Sequence, residues 1–414
     1  MKRILHIISQ YPGKTGSGIY LKELIKEGNK KGYIQGLIAG LSKGEENIDL
    51  NIPKQYFYPV LFKTEKIPFP IVGMSDIMPY ESTKYSEINN EMFIKWEKGF
   101  KKAIEKGIKE FKPDIIISHH LWVLTSLVKK MIPDIKVIGV CHGTDIRQFE
   151  KCPQYRQYVL DGCRPIDLVL ALNDKQKEII HNIYSIPRKR IITIGGGYNK
   201  DIFYSPSVGK NPRVVSFPKD GAIKLIYAGK LSHAKGVLCL IKAYNMLEIN
   251  EDEIELKIVG SGVGEEEKAI KEAGKESRLK VKFLGEVTQK ELGGLFRQSH
   301  IFVLPSFYEG LSLVTIEALA SGLMVVATDL PGLKSFLGGE INNSGIIEYV
   351  DLPKMEDVDT PSKEELFAYE ERLRSSIGKQ INRLKEGYVI DNDIQKKIDK
   401  LSWENIYNRI EKYF

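Results

Sequence analysis

Residues 301–327 read IFVLPSFYEGLSLVTIEALASGLMVVA and contain a strand, a loop, a helix and a second strand. The apolar run 301–304 predicts a buried strand, which ends at Pro305. A helix of about three turns follows, with Ser312 as its predicted N-cap and Gly322 as its stop, and the next apolar run begins at Met324. Two fully apolar strands joined by one helix indicate neighbouring strands of a parallel sheet that is covered on both faces.

The same alternation of short apolar runs and amphipathic helices extends over the whole chain. A chain of 414 residues exceeds what one hydrophobic core usually supports, and two series of such runs follow each other. We therefore predict an α/β protein of two doubly wound, Rossmann-like domains with parallel sheets. The predicted strands are residues 4–9, 115–118, 137–141, 168–172 and 191–194 in the first domain, and 225–228, 256–259, 281–284, 301–304 and 324–327 in the second.

The domain boundary is predicted after Ser205, in a stretch up to Gly221 that is rich in Ser, Pro, Gly and Lys. The first domain then covers residues 1–205 and the second covers 206–395. Residues 44–92 interrupt the alternation with scattered Tyr, Phe and Pro residues. This composition is too aromatic for a disordered loop, so we predict an ordered insertion on the first domain.

Composition restricts the class of protein. Apolar residues make up 42% and charged residues 28% of the chain, which is typical of a packed, soluble protein. The net charge of +7 suits an anionic substrate or a loose contact with acidic lipid, and is too small to predict binding of nucleic acid. No apolar run is long enough for a signal peptide or a membrane span, so a cytoplasmic location is expected, with a weak contact at the inner face of the membrane left open.

The four cysteines form no C-x-x-C pair and no zinc-binding spacing, so free thiols in a reducing compartment are expected. Residues 93–111 place Phe93, Trp96, Phe100 and Ile104 on one helical stripe, with lysines largely off it. Such a helix either lies on a membrane surface or packs on the sheet with a solvated lysine face. The second interpretation is favoured, because Pro113 and a predicted strand follow directly.

Glu309 and Glu317 belong to the strand–loop–helix unit quoted first. Ligands of open α/β sheets bind at the carboxyl ends of the strands, where the loop with Glu309 lies. Glu317 falls about two turns along the helix, too far from Glu309 for one catalytic pair of carboxylates. The spacing instead favours two separate contacts with an elongated ligand, with Gly310 allowing close approach and the N–H groups at the start of the helix facing an anion or sugar hydroxyls.

A second loop with residues suited to ligand binding spans residues 227–236, YAGKLSHAKG. A buried strand runs into a glycine-bearing loop with Lys230 and Lys235, and a helix is predicted to begin near Val237. Two lysines beside a helix N-terminus can hold a diphosphate without a metal ion. The loop is not a Walker A motif, because G-x-x-x-x-G-K-[ST] occurs nowhere in the chain.

Together with Gly16-Ser17-Gly18 after the first strand, these two loops resemble those of family 4 glycosyltransferases with the GT-B fold. The resemblance spans nearly the whole chain. It implies two Rossmann-like domains that face a deep interdomain cleft, with acceptors received by the first domain and nucleotide-sugar donors by the second. Residues 401–407, LSWENIY, are similar to the family's helix that crosses back to the first domain, here predicted over 396–414.

The resemblance also implies roles for the loop residues. Lys235 and Lys230 would contact the donor diphosphate. The family often has arginine at the position of Lys230, so the lysine keeps the positive charge but lacks the bidentate hydrogen bonding of a guanidinium. Glu317 would bind the ribose hydroxyls, and Glu309 would hold hydroxyls of the donor sugar. The other residues implied in donor binding are Gly16 and Gly18 in the first domain, and Gly260, Gly262, Gly285, Val287, Gly310, Leu311 and Ser312 in the second.

His142 follows a predicted buried strand and matches the family's histidine near the reacting bond, with a role as base or in electrostatic stabilisation. The predicted catalytic residues are therefore His142, Glu309 and Lys235. His119 and His120 end another strand, where a packed or solvated histidine is the favoured interpretation. Asp391-Asn392-Asp393 has the form of a metal-binding D-x-D motif, but no strand precedes it, and no metal site is predicted.

The resemblance implies a retaining, metal-independent hexosyltransferase that uses no cofactor. The donor would be a UDP-sugar, with UDP-N-acetylglucosamine and UDP-glucose as candidates, and UDP would be the product. The acceptor stays open between a small molecule, a polysaccharide and another cell-envelope component, and so does the oligomeric state. Two alternatives remain: a nucleotide-sugar epimerase of the same architecture, and a catalytically silent nucleotide-sugar-binding protein.

Overall fold

The computed structural model describes residues 1–48, 50–76, 78–205, 213–215 and 221–414. The chain forms two units, one of Met1–Gly196 with Trp403–Phe414 and one of Gly197–Ser402. The first unit thus ends at Gly196 rather than at Ser205, because the turn around Tyr198 pairs with Ser402 of the second unit. Most of the predicted linker lies outside the described residues.

Unit 1 is built on a parallel sheet with strand order β3-β2-β1-β6-β7-β8-β9. Its central strands are almost entirely buried, as expected for a sheet with helices on both faces. The elements are β1 (Arg3–Ile8), α1 (Gly16–Lys30), β2 (Ile34–Ser42), β3 (Phe57–Phe62), β4 (Ile71–Gly73), β5 (Ser82–Lys84), α2 (Asn90–Phe111), β6 (Ile115–His119), α3 (Val123–Met131), β7 (Lys136–Val140), α4 (Thr144–Lys151), α5 (Arg156–Cys163), β8 (Leu168–Ala171), α6 (Asp174–Tyr184) and β9 (Ile191–Thr193).

Helix α2 packs on this sheet, as predicted. Trp96, Phe100, Ile104 and Phe111 are buried in the core of unit 1, while most of the lysines of α2 are at least partly exposed. Its apolar stripe therefore stabilises the fold of unit 1. Among the described residues, we find no helix that combines the length and apolarity needed to cross a membrane.

The described residues of the segment 44–92 are ordered as predicted, but part of the segment is not an insertion. Strand β3 pairs with β2 and forms the edge of the main sheet. Tyr58, Val60 and Phe62 alternate into the core, and the tyrosine, phenylalanine and proline residues around them obscured this two-residue period in the sequence. The remainder forms the small β4–β5 sheet, whose Ile71 and Val72 are fully buried; Asp49 and Ile77 lie outside the described residues.

Unit 2 contains a second parallel sheet, with strand order β13-β12-β11-β14-β15-β16. Unit 2 also contains a small antiparallel pair of strands, β10–β19. The elements are β10 (Arg213–Val215), β11 (Ile223–Ala228), α7 (Val237–Asn245), β12 (Ile254–Val259), α8 (Gly264–Glu276), β13 (Lys280–Gly285), α9 (Gln289–Arg297), β14 (Ile301–Leu304), α10 (Leu313–Ala320), β15 (Met324–Thr328), α11 (Pro331–Asn342), β16 (Ile347–Val350), β17 (Met355–Asp357), β18 (Thr360–Pro361), α12 (Leu366–Lys385), β19 (Tyr388–Ile390) and α13 (Asn392–Asp399).

Two details of unit 2 differ from the sequence predictions. Strand β13 is an edge strand with exposed Lys280 and Lys282 rather than a fully buried strand, and lysines on an edge disfavour pairing with other chains. Helix α10 begins after Ser312 as predicted, but it ends at Ala320 and has eight residues, about two turns instead of three. Gly322 follows the helix with a positive φ of 84°, which is the predicted stop.

The C-terminal region forms two helices where one was predicted over 396–414. Helix α13 ends at Asp399, and α14 (Trp403–Glu411) belongs to unit 1. The break arises because the Tyr198 N–H donates to the Leu401 carbonyl, which holds residues 401–402 in a bridge instead of a helix. Trp403 is buried in unit 1 with its ring 4.7 Å from that of Tyr20.

Candidate functional site

The loop after β11 in unit 2 is fixed against the loop after β14. Gly236 has a φ of +64°, and a Cβ added to it would lie 2.0 Å from the Pro305 carbonyl oxygen, so only glycine fits. The N–H of Phe307 donates to the carbonyl of Ala234 at 3.0 Å. These contacts hold the lysine-bearing loop and the glutamate-bearing loop together at the carboxyl ends of neighbouring strands.

Lys235 and Glu309, both predicted as catalytic, are in direct contact. The Lys235 ammonium lies 2.7 Å from Glu309 Oε1, and the Ser306 hydroxyl donates to the same oxygen at 3.0 Å. About a quarter of each charged side chain is exposed to solvent. The predicted positions are therefore brought together, and their ion pair was not foreseen from the sequence.

Glu317 lies in α10 and is buried, with 4% of its surface exposed. Ser312 occupies the N-cap position of α10, but its side chain makes no capping hydrogen bond. The predicted N-cap position is therefore confirmed, while the Ser312 hydroxyl accepts a hydrogen bond from Thr315 Oγ1 at 2.9 Å and not one from the backbone. Glu309 in the loop and Glu317 in the helix therefore occupy different surroundings, as their spacing predicted.

Of three further glycines predicted in the donor site, Gly260 and Gly262 follow β12, and Gly285 is the last residue of β13. Gly260 has a φ of +124°, and a Cβ there would lie 1.9 Å from the Gly229 carbonyl oxygen. A Cβ on Gly262 would lie 2.4 Å from the Leu231 carbonyl oxygen, and the N–H of Gly260 donates to Gly285 at 2.8 Å. These contacts pack the loops after β11, β12 and β13 on one another.

Val287 and Leu311 are partly buried and contact the core of unit 2. Both side chains therefore support the loops that carry Gly285 and Gly310. A role for either residue in nucleotide binding remains a prediction.

In unit 1, helix α1 starts at the predicted Gly16-Ser17-Gly18 motif. Its N-cap is Thr15, whose hydroxyl accepts the N–H of Gly18 at 3.1 Å. A Cβ on Gly18 would lie 2.4 Å from the backbone nitrogen of Gly13, so this glycine is explained by packing within the loop. A Cβ on Gly16 would meet no atom within 4 Å, so Gly16 faces open space.

His142 lies just after β7 in a cluster of aromatic rings. Its Nε2 is 3.2 Å from Nδ1 of His119, and the two rings stack at an angle of 10°. The ring centroid of His120 is 4.8 Å away, and Tyr20 makes an edge contact at 5.2 Å. His6 extends the cluster on the far side of His119, with ring centroids 6.0 Å apart.

These histidines are neutral at physiological pH. Burial lowers the pKa of His142 to about 3 and that of His6 to about 4. Burial, together with the neighbouring histidines, holds the pKa values of His119 and His120 well below the usual 6.5. His142 therefore presents a neutral imidazole, which suits a hydrogen-bonding or base role and not a permanent positive charge.

The same cluster should make unit 1 sensitive to acid. An unfolded histidine binds a proton below about pH 6.5, whereas these folded ones resist protonation down to about pH 4 or 3. The free energy of unfolding should therefore fall as the pH drops through 6.5, approaching a loss of about 1.4 kcal/mol per pH unit for each such histidine at lower pH. Trp96, Trp122 and Trp403 all lie in unit 1, so the midpoint of thermal unfolding followed by tryptophan fluorescence measures this effect.

The comparison should run from pH 7.5 to 5.5, above the range in which carboxylates titrate. Replacing His6 by asparagine should flatten the pH dependence, since one protonation site of the unfolded chain is removed. A midpoint that stays constant over this range would show that the cluster is not neutral in the folded protein.

The unit 1 site contains more residues than were predicted. His119 and His120 were expected to be packed or solvated, and both are packed, since they are buried in contact with His142. His6 and Asp145 were not predicted at all. A signal was present, because His6, His119 and His142 lie at or beside strands that are adjacent in the sheet.

The D-x-D sequence at 391–393 has a structural explanation. Asp391 is the N-cap of α13 and accepts the N–H of Asp393 at 2.9 Å. Within the described part of the chain, no three His, Cys, Asp or Glu side chains are grouped as a metal site would require.

The fold and the site define a class: an α/β protein of two doubly wound units with its polar residues at the carboxyl ends of parallel strands. Residues 80–201 match the sequence profile described as Glycosyltransferase Family 4, and residues 210–348 match that described as Glycosyl transferases group 1. The chain belongs to this family of glycosyltransferases with the GT-B fold.

Similar proteins agree with this assignment. An uncharacterised glycosyltransferase of Methanocaldococcus jannaschii is 28% identical over 339 residues, which cover 77% of this chain and 80% of the relative. The structure of sucrose-phosphate synthase from Thermosynechococcus elongatus matches 100% of this chain and 98% of its own, with a TM-score of 0.72 and 16% identity. An Anabaena protein in complex with UDP-glucose matches over 100% and 99%, with a TM-score of 0.67 and 16% identity. The two structures support the fold.

Proposed function

We propose that this glycosyltransferase moves a hexosyl unit from a UDP-sugar to an acceptor hydroxyl, with retention at the anomeric carbon and without a metal ion. The observation that carries the proposal is the Lys235–Glu309 pair at the carboxyl end of the unit 2 sheet. It offers a cation for a diphosphate and a carboxylate for sugar hydroxyls side by side. The similar Anabaena structure, which holds UDP-glucose, supports UDP as the nucleotide.

In unit 2, each end of the donor has residues suited to it. Lys235 and Lys230 would contact the diphosphate, and Glu317 would accept hydrogen bonds from the ribose hydroxyls. Glu309 and the backbone amides of residues 310–312 would hold the hydroxyls of the sugar. The loops that contain Gly260, Gly262, Gly285 and Val287 would lie along the nucleotide.

Unit 1 would supply the remaining groups. Gly16, with open space above its Cα, would let the start of α1 approach the diphosphate, while Gly18 keeps the loop compact. The neutral imidazole of His142 would accept a hydrogen bond from the donor sugar or stabilise the positive charge that develops at its anomeric carbon.

The reaction proposed is a front-face substitution. The bond between the anomeric carbon and the β-phosphate oxygen breaks, and the bond to the acceptor oxygen forms on the same face of the sugar. The acceptor oxygen attacks the anomeric carbon directly, so no enzymatic nucleophile is required, and its proton passes to the departing diphosphate. Lys235 and Lys230 would assist by offsetting the negative charge that grows on the leaving group.

The test is a donor screen followed by product analysis. Calorimetry with UDP- and GDP-sugars should show binding of a UDP-sugar, and mass spectrometry with candidate acceptors should show a product heavier by one hexosyl unit. The anomeric coupling constant of that product, measured by NMR, should match that of the donor. EDTA should leave the rate unchanged. Binding of GDP-sugars alone, an inverted product or loss of activity with EDTA would each refute the corresponding part of the proposal.

We further propose that residues 71–76 help to form the acceptor site. The N–H of Met74 donates to Gln10 in the loop before α1, and the carbonyl of Met74 accepts from Gln148 of α4. Asp76 forms an ion pair with Arg147, also on α4, at 3.1 Å. The segment is thus fixed between the helix that starts at Gly16 and the helix that follows His142. In the acceptor screen, Asp76→Ala should change the range of accepted acceptors while donor binding persists; an unchanged range would exclude this role.

Glu317→Ala should mainly weaken nucleotide binding. The loss of charge-assisted hydrogen bonds to the ribose, worth about 1.5–3 kcal/mol, corresponds to a Kd for UDP that rises roughly 10- to 100-fold. Inorganic pyrophosphate has no ribose, so its Kd should not change. Calorimetry with UDP and with pyrophosphate therefore distinguishes the ribose contact from the diphosphate contacts. Equal weakening of UDP and pyrophosphate would contradict the ribose assignment, and a melting curve of the variant checks that unit 2 remains folded.

A further inference from the structure

Asp145 is a fully buried carboxylate at the start of α4. A single oxygen, Oδ2, accepts two backbone hydrogen bonds, from the N–H of Leu121 at 2.8 Å and from the N–H of His142 at 3.2 Å. The Leu121 N–H belongs to the turn after β6, and His142 lies just after β7. One carboxylate therefore ties together the ends of two neighbouring strands.

The turn that Asp145 holds contains His120, which directly follows His119 at the end of β6. His120 adopts a positive φ of 68°, an unfavourable conformation for a residue with a side chain. Its N–H donates to the Val140 carbonyl at 2.9 Å, and its carbonyl accepts from the hydroxyl of Thr125. Such a conformation persists where surrounding contacts enforce it, and the bond from Leu121 to Asp145 is one of these contacts.

We propose that Asp145 is a positioning residue that fixes the His142 ring against His119. The inference rests on the proposed role of His142 in transfer. A buried carboxylate is costly, and hydrogen bonds to a charged acceptor are stronger and shorter than neutral ones. Burial raises the pKa of the Asp145 carboxyl, and the hydrogen bonds from the N–H groups of Leu121 and His142 oppose this shift. These two bonds hold the ends of β6 and β7 at a fixed separation, which sets the contact of 3.2 Å between His119 and His142.

Asp167 provides a matched control in the same unit. Its Oδ2 also accepts a backbone N–H of β7, that of Val137 at 2.8 Å, together with the ammonium of Lys129 at 2.7 Å. Val137 lies near the opposite end of β7 from His142. A replacement of Asp167, whose side chain is 37% exposed, thus removes a carboxylate contact with β7 without touching the histidine cluster.

The experiment compares Asp145→Asn with Asp167→Asn in protein labelled with ¹⁵N-histidine. In Asp145→Asn, the ring signals of His142 and His119 should shift or broaden, the kcat for release of UDP from UDP-glucose or UDP-N-acetylglucosamine should fall at least tenfold, and the Kd for UDP should stay within twofold. Asp167→Asn should leave the ring signals and kcat unchanged. Unchanged ring signals in Asp145→Asn, or equal changes in both variants, would overturn the positioning role.

A second measurement needs no variant. The amides of Leu121 and His142 in the parent protein should both be strongly protected from hydrogen exchange, because both donate to the buried carboxylate; fast exchange at either amide would overturn the proposal. The ring signals and the exchange rates do not depend on turnover. If the parent protein binds no UDP-sugar, the proposed function fails, while these two measurements still decide whether Asp145 positions His142.

Discussion

His142→Ala should lower the rate of sugar transfer by a factor of about 10²–10⁴ while the Kd for UDP changes little. His142 belongs to unit 1, whereas the residues proposed to hold the nucleotide, Lys235 and Glu317, belong to unit 2. The imidazole is neutral, since burial lowers its pKa to about 3, so its removal deletes a hydrogen-bonding group rather than a charge. The comparison of kcat with the UDP affinity measured by calorimetry distinguishes a loss of catalysis from a loss of nucleotide binding.

His181→Ala is the control for this prediction. His181 is also a histidine of unit 1, but it contacts the Ile186 carbonyl at the end of α6 and has no part in the ring cluster. Its replacement should leave transfer at the parent rate. If His142→Ala also retained the parent rate, His142 would have no role in transfer, and the predicted catalytic site in unit 1 would be wrong.

The sequence predicted the fold because buried parallel strands leave a simple pattern. Runs such as 301–304 are apolar throughout, and the loops after them carry the polar residues. Where a strand lies at an edge, the pattern changes: β3 alternates, and β13 carries exposed lysines. Both were misjudged for this reason, since the sequence does not show which strands have only one neighbour.

The predicted site residues of each unit lie at strand ends, in the loops that follow or in the helices after those loops, but their contacts could not be predicted. The pairing of Lys235 with Glu309 depends on how closely two loops pack, which is set by the contact of Gly236 with the Pro305 carbonyl. Asp145 was not predicted for another reason. Its carboxylate accepts backbone N–H groups, and because every residue except proline has such a group, the sequence does not show which residues it contacts. Local patterns indicate where a side chain lies along an element, whereas its partners depend on tertiary packing.

Glu309→Gln should have opposite effects on the binding of UDP and on transfer. In the ligand-free protein, the ammonium of Lys235 is 2.7 Å from the Glu309 carboxylate, so a diphosphate that binds to Lys235 must share or displace this partner. Removal of the negative charge frees Lys235 and ends the repulsion between Glu309 and the diphosphate. The Kd for UDP should therefore fall several-fold, a modest change because both side chains are partly exposed and screened by water.

Transfer should fall in the same variant, by roughly 10- to 100-fold, because an amide is a weaker acceptor for the sugar hydroxyls than a carboxylate. Ser306→Ala is the control: the Ser306 hydroxyl donates to the same Glu309 oxygen at 3.0 Å but carries no charge, so UDP should not bind more tightly to that variant. Calorimetry with UDP and a transfer assay with the UDP-sugar measure the two effects separately. If UDP bound more weakly to Glu309→Gln, the carboxylate would be holding Lys235 in place for the diphosphate rather than competing with it, and the ion pair would be part of the donor-binding conformation.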